Sequence, residues 1–169
     1  MVLWITGLSG SGKTTLSEAV AQEVRNRGRK IVLLDGDKVR ELFDNDLGHD
    51  LDGRKLAVER ICRLCHFLDG ESIDVICSTD LHFPELQDWC RTSLTNYYEI
   101  FLDVPIETVI KRDPKGIYDR YSKGELHNVA GLDLPFRRPM AANEVVKNDD
   151  SKNDLLSHAP RIANVFFEK

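Results

Sequence analysis

In the stretch GLSGSGKT, Gly7, Gly12, Lys13 and Thr14 stand at the fixed positions of G-x-x-x-x-G-K-S/T. The chemistry of that spacing is the holding of a nucleoside triphosphate. Glycines let backbone N–H groups close around phosphate oxygens, and the dipole of a following helix favours the negative charge. Lys13 is expected to reach the β- and γ-phosphates, and the Thr14 hydroxyl to be offered to Mg²⁺. Further on, Asp35 and Asp37 close the short apolar run 31–34 in LLDGDK. Carboxylates delivered to the carboxyl edge of a sheet, beside a phosphate loop, can hold a metal or accept a proton. Aspartates there can also cap the helix that follows, so both readings stand for Asp35 and Asp37.

The elements that must position these groups are legible from periodicity. Residues 2–5 are an unbroken apolar run that reads as a buried strand, and Leu16, Ala19, Val20 and Val24 repeat at helical spacing until Gly28 stops the helix. Runs 31–34, 73–77, 98–104 and 143–147 are further strands, the third strand of the chain ending in Ser78-Thr79-Asp80. Between them, helices are predicted over 38–43 and 54–68, after Pro84, and from Pro105 with Ile106, Val109 and Ile110 inward. From residue 151 a terminal helix is expected, bent at Pro160. Residues 112–139 are polar and rich in glycine and cations, namely Arg112, Lys115, Arg120, Lys123, Arg137 and Arg138, which reads as a lid. Strands alternating with helices predict an α/β fold of the P-loop NTPase type. Its three αβα layers would enclose a parallel sheet of about five strands, as one domain over residues 1–169.

Composition excludes several function classes. A net charge of −5 argues against a nonspecific nucleic-acid binder. No apolar run approaches the roughly 18 residues of a membrane span, and the amino terminus has no basic region leading into an apolar one, so a cytoplasmic protein with no membrane partner is expected. Cys62-x-x-Cys65 lacks a second ligand pair and lies near an apolar helix face, so Cys62, Cys65, Cys77 and Cys90 are read as packing residues. The acidic stretch 44–52 lacks the ligand register of a calcium loop. His66, His127 and His158 have no metal-like spacing and read as surface or packing residues. His82, near the sheet's carboxyl edge, is a candidate acceptor contact.

Taken together, WITGLSGSGKTT, LDGDKVR, DLGHDLDGR, EIFLDVPIETVIKRDPKGIY and KGELHNVAGLD resemble, in order and over nearly the whole chain, the adenylyl-sulfate kinase family. Those enzymes phosphorylate the ribose 3'-hydroxyl of adenylyl sulfate with Mg-ATP. The resemblance implies an enzyme with ATP and Mg²⁺ as cofactors and a small-molecule nucleotide as acceptor, and it suggests a homodimer. It places Gly7, Ser9, Gly10, Ser11, Gly12, Lys13, Thr14 and Thr15 on ATP, with Arg112 on the same side. Thr14 and Asp37 go to the metal, and Asp37 also lies beside the acceptor hydroxyl. Arg40, Arg54 and Lys115 go to the acceptor. The expected catalytic residues are Asp37, Lys13 and Asp35.

The chain departs from the family at the acceptor end. Two phenylalanines that sandwich the acceptor's adenine are replaced by His49 and Val129, and the serine-proline-tyrosine-arginine segment by residues 79–83. Stacking supplies about 1–3 kcal/mol per base, so two acceptor readings follow. Either adenylyl sulfate is retained with His49 stacking, or the same reaction serves a cytidine nucleotide such as cytidine diphosphoramidate in capsule biosynthesis. A third reading is an inactive nucleotide-binding regulatory protein.

Overall fold

β1 (Val2–Thr6) is buried at every position, with Leu3 and Ile5 in one apolar cluster and Val2 and Trp4 in another. A strand covered on both faces belongs inside a parallel sheet. The computed structural model, which describes residues 1–80, 83–149 and 151–167, places it there. β1 is the central strand of a five-stranded sheet of order β2-β3-β1-β4-β5, where β2 is Val32–Asp35, β3 Val75–Ser78, β4 Tyr97–Asp103 and β5 Glu144–Lys147. All neighbours run parallel.

Helices cover both faces. α1 (Lys13–Asn26) buries Leu16, Val20 and Val24 on the Leu3/Ile5 side, where the carboxyl-terminal helices also pack. α2 (Gly36–Leu42), α3 (Leu51–Gly70) and α4 (Pro84–Ser93) cover the Val2/Trp4 side with Val39, Val58, Ile61, Cys62, Cys65, Leu86 and Cys90. The expected three-layer αβα fold is therefore present. All four cysteines are buried and unbridged, with Cys90 Sγ 3.5 Å from Cys62 Sγ. His66 sits edge-on to Trp89. Among the described residues no helix is long and apolar enough to cross a membrane.

Register explains where a site can form. Ile5 and Asp35 both pair with Ser78, and Asp103 pairs with Lys147, so the strands end together. The segments after β1, β2, β3 and β5 consequently emerge along one edge, the usual ligand edge of such a sheet.

The structure differs from expectation in three places. α5 (Ile106–Arg112) begins after Pro105, and only one stripe of it is covered: Val109 is buried, whereas Ile110, one residue further round the helix, is 41% exposed. The terminal helix divides at His158 into α7 (Lys152–Ser157) and α8 (Ala159–Ala163). Pro160 lies in the first turn of α8, two residues past the division, where its missing N–H costs nothing. Segment 112–139 is not irregular throughout. It holds α6 (Ile117–Ser122), whose amino end is capped by the Asp113 carboxylate accepting from the backbone N–H groups of Tyr118 (3.2 Å) and Asp119 (2.9 Å). Tyr118, Val129 and Ala130 form a third apolar cluster with Leu8, Val104 and Val109, so segment 112–139 packs directly on the phosphate loop.

Candidate active site

A cleft of about 590 Å³ opens along the carboxyl edge of the sheet. The loop between β1 and α1 forms its floor, and glycine is required in it. At Gly12 (φ 99°) a Cβ would lie 2.7 Å from Leu155 Cδ2, and at Gly7 it would lie 2.8 Å from both the Leu102 carbonyl oxygen and Ser11 Oγ. Ser9, Gly10, Gly12, Lys13, Thr14 and Thr15 line the cleft, whereas Gly7 and Ser11 do not; those two shape the loop from behind. The Lys13 ammonium donates to the carbonyls of Gly7 (2.8 Å) and Leu8 (2.9 Å). Burial pushes its pKa down, with Lys115 adding to that, while Asp80, Asp37 and Asp35 pull it up.

The two aspartates after β2 have different surroundings. Asp35 is buried and is the N-cap of α2. Its Oδ1 accepts from the backbone N–H groups of Asp37 (3.0 Å) and Lys38 (3.5 Å), and its Oδ2 from the hydroxyls of Thr14 (2.7 Å) and Ser78 (3.0 Å). Burial alone would raise its pKa, but these hydrogen bonds outweigh it and hold the carboxyl below its ordinary value. Asp37 is exposed, and its Oδ2 is paired with the Lys115 ammonium across the cleft. The carboxylate touching the Thr14 hydroxyl is thus Asp35, two residues before the one expected to share a metal with it.

On the opposite wall two arginines are fixed through main-chain carbonyls. Arg40 donates to those of Leu47 (2.9 Å) and Gly48 (3.3 Å), and Arg54 to those of His49 (2.8 Å) and Asn128 (2.7 Å). None of these four bonds neutralises a charge. Burial and then the neighbouring Arg54 lower the Arg40 pKa, and burial with both arginines lowers that of His49. A surplus of positive charge at a half-enclosed wall suits an anion. His49 is exposed and lines the cleft, and Val129, 2% exposed in the lid cluster, lines it from the other side. Arg112 also lines it and donates to the carbonyl of Asn148 (2.9 Å).

Sequence reasoning missed part of the lining, namely Thr79 and Asp80 after β3, and Asn148, Lys152 and Leu155 after β5. The signal that found Asp35, a polar residue at the carboxyl end of a buried strand, applies equally to Asp80 and Asn148. His82 falls outside the described residues.

Mg²⁺ fits this donor set. The metal keeps several waters and takes one or two protein oxygens together with substrate phosphates. A hydroxyl already hydrogen-bonded to a buried carboxylate, beside a glycine loop and a lysine, offers that much. No protein cage is needed, and among the described residues no group of three or more His, Cys, Asp and Glu side chains is placed to form one.

Known proteins share this architecture. The adenylylsulphate kinase family model matches residues 1–147. A probable adenylyl-sulfate kinase of Pseudomonas aeruginosa is 38% identical over 88% of this chain and 70% of its own. The cytidine diphosphoramidate kinase of Campylobacter jejuni is 37% identical over 91% of this chain and 89% of its own. Among solved structures, the APS kinase of Mycobacterium tuberculosis in complex with AMPPNP and APS superposes with a TM-score of 0.88 at 26% identity, covering 99% of this chain and 97% of that one. On the sheet order, the loop and these matches, the chain belongs to the adenylylsulphate kinase family, P-loop kinases that use ATP with Mg²⁺.

Proposed function

We propose that this protein transfers the γ-phosphoryl group of Mg-ATP to the ribose 3'-hydroxyl of adenylyl sulfate. The observation that carries the reading is the meeting, in one cleft, of the phosphate loop, the exposed carboxylate of Asp37 and two arginines held by main-chain carbonyls. A ribose hydroxyl is a weak nucleophile, and phosphoryl transfer is catalysed chiefly by positioning and charge.

In this reading, Lys13 exchanges the Gly7 and Leu8 carbonyls for phosphate oxygens. Asp37 parts from Lys115, then orients the acceptor hydroxyl and takes up its proton. The freed Lys115 ammonium offsets charge on the transferring group. Arg40 and Arg54 hold the acceptor's anionic group, with His49 and Val129 flanking its base, and Arg112 lies on the ATP side. Thr14, its hydroxyl held by Asp35, would hold Mg²⁺ together with Asp37, and the ion neutralises charge on the phosphates when bound. The partner is a small-molecule nucleotide, and the protein acts as a homodimer; light scattering during gel filtration tests the latter.

A second acceptor, cytidine diphosphoramidate, is favoured by one observation. His49 and Val129 flank the acceptor wall without a pair of aromatic rings to sandwich a purine. Purified protein with Mg-ATP and both acceptors separates the two readings. Higher kcat/KM with adenylyl sulfate, and a 3'-phosphorylated product, supports the first; turnover with the cytidine compound alone replaces it with the second. Failure of acceptor-dependent ATP consumption with both, while ATP still binds, points to a regulatory protein.

A further inference from the structure

Several carbonyl groups of the phosphate loop accept hydrogen bonds from fixed donors, and two of those donors have no role in the reading above. Lys13 takes the carbonyls of Gly7 and Leu8, and the Leu8 carbonyl also accepts from the Ser11 N–H (3.1 Å). The Ser9 carbonyl accepts from the phenolic hydroxyl of Tyr118 (2.9 Å), and the Ser11 carbonyl from Nδ2 of Asn148 (2.8 Å).

Both donors are buried and held. Tyr118 is 4% exposed, and its ring packs in the cluster that contains Leu8 and Val109. Its backbone N–H is bound by Asp113, so the hydroxyl reaches the loop from a capped helix rather than from a free side chain. Asn148 is 5% exposed. Its N–H donates to the Asp103 carbonyl (3.3 Å) and its carbonyl accepts from Arg112 (2.9 Å), so the amide is fixed by bonds at both ends of the residue.

A trans peptide unit is planar, with its carbonyl and the next N–H pointing opposite ways. A donor that captures the Ser9 carbonyl therefore turns the Gly10 N–H away from itself, and capture of the Ser11 carbonyl does the same for the Gly12 N–H. Gly10 and Gly12 both line the cleft at positive φ (78° and 99°), and without a Cβ at either residue the adjoining peptide units can turn unless they are held.

We infer that Tyr118 and Asn148 are positioning residues that preset the anion cradle, turning peptide units 9–10 and 11–12 so that their N–H groups meet the phosphates of ATP. The inference rests on the ATP-site reading above. It gives the β5 end and the lid helix a shared role, since each grips one peptide of the same loop from a different element.

The test uses Tyr118→Phe, which keeps the ring and its packing, and Asn148→Ala, each in the full chain. Binding of Mg²⁺-pyrophosphate, which has no nucleoside, and of adenosine, which has no phosphate, is measured by calorimetry. Michaelis constants for ATP and for the acceptor are measured alongside. Each variant is expected to bind pyrophosphate about five- to tenfold more weakly, the weight of one hydrogen bond, and to raise the KM for ATP to match. Adenosine affinity and the acceptor's KM should not move. Unchanged pyrophosphate affinity in folded Tyr118→Phe overturns the inference, as does an equal loss towards pyrophosphate, adenosine and acceptor. Should Asn148→Ala fail to fold, Tyr118→Phe decides alone. A wild-type chain that binds neither pyrophosphate nor Mg-ADP overturns the nucleotide-site reading itself, and this inference with it.

Discussion

Asp35 and Asp37 are two residues apart, yet their substitution by alanine should give opposite signatures. Asp35 is buried and accepts from two hydroxyls and two backbone N–H groups. Asp35→Ala removes an N-cap, worth about 1 kcal/mol. It also leaves the hydroxyls of Thr14 and Ser78 without their acceptor, at about 1 kcal/mol each after relaxation. The expected loss is about 2–4 kcal/mol, or roughly 5–15 °C in Tm for a chain of this size. Asp37 is exposed and makes one exposed ion pair, worth about 0–1 kcal/mol. Asp37→Ala should therefore melt close to wild type while kcat falls by about 10²–10⁴. Acid adds a second axis. The Asp35 pKa is lowered in the folded state, so its stabilisation is complete above the unfolded value of about 4 and is lost as pH falls through the folded one. Wild type should lose stability over that acid range, and Asp35→Asn should lose less. Thermal and urea melts at neutral and acid pH, with steady-state rates, read all of this. Equal melting of Asp35→Ala and wild type, or a large Tm loss in Asp37→Ala, would refute the division between a structural and a chemical carboxylate.

Two further outcomes follow from groups outside the cleft. Glu99 has a fully buried side chain, accepts from Arg91 (2.7 Å) and the Tyr97 hydroxyl (2.9 Å), and has its pKa raised by burial. Arg91→Ala should cost about 3–5 kcal/mol in urea melts, with most of it recovered in Arg91→Ala/Glu99→Gln. Because a raised carboxyl pKa means the folded state binds the extra proton, that single variant should gain stability as pH falls towards it, the reverse of Asp35. The hydrogen bond with Cys90 and then burial push the Cys62 thiol up, burial does the same for Cys77, and all four cysteines are buried, so they should resist a thiol reagent in native buffer and react only in denaturant.

What the sequence made legible was what local chemistry dictates. The loop 7–14 carries its own signature, and buried strands announce themselves as apolar runs because both faces are covered. Asp35 and Asp37 were found because their strand ends where a ligand edge must lie. Lys152 and Leu155 were not, since no motif marks them, and Asn148, which carries the same strand-end signal, was missed because only parallel register brings the end of β5 beside the phosphate loop. The outward turn of Ile110 was hidden for a related reason. Helical spacing shows which residues share a face, but not how wide a stripe the neighbour covers.

The acceptor wall shows why the anion was easier to read than the base. Arg40 and Arg54 are spent on main-chain carbonyls of the segment they enclose, so their geometry is set before any ligand arrives while those bonds leave their charge uncompensated. Charge of that kind is visible in residue types. Base recognition is a matter of slot width, and the slot proposed here lies between His49 and Val129, on segments 80 residues apart that Arg54 joins by donating to the His49 carbonyl on one side and the Asn128 carbonyl on the other. In the proposed reading, one side chain would therefore set both the anion contact and the spacing of the walls around the base. Loss of Arg54 should weaken the hold on the acceptor's anionic group and on its base together, where loss of Arg40 touches the anion alone.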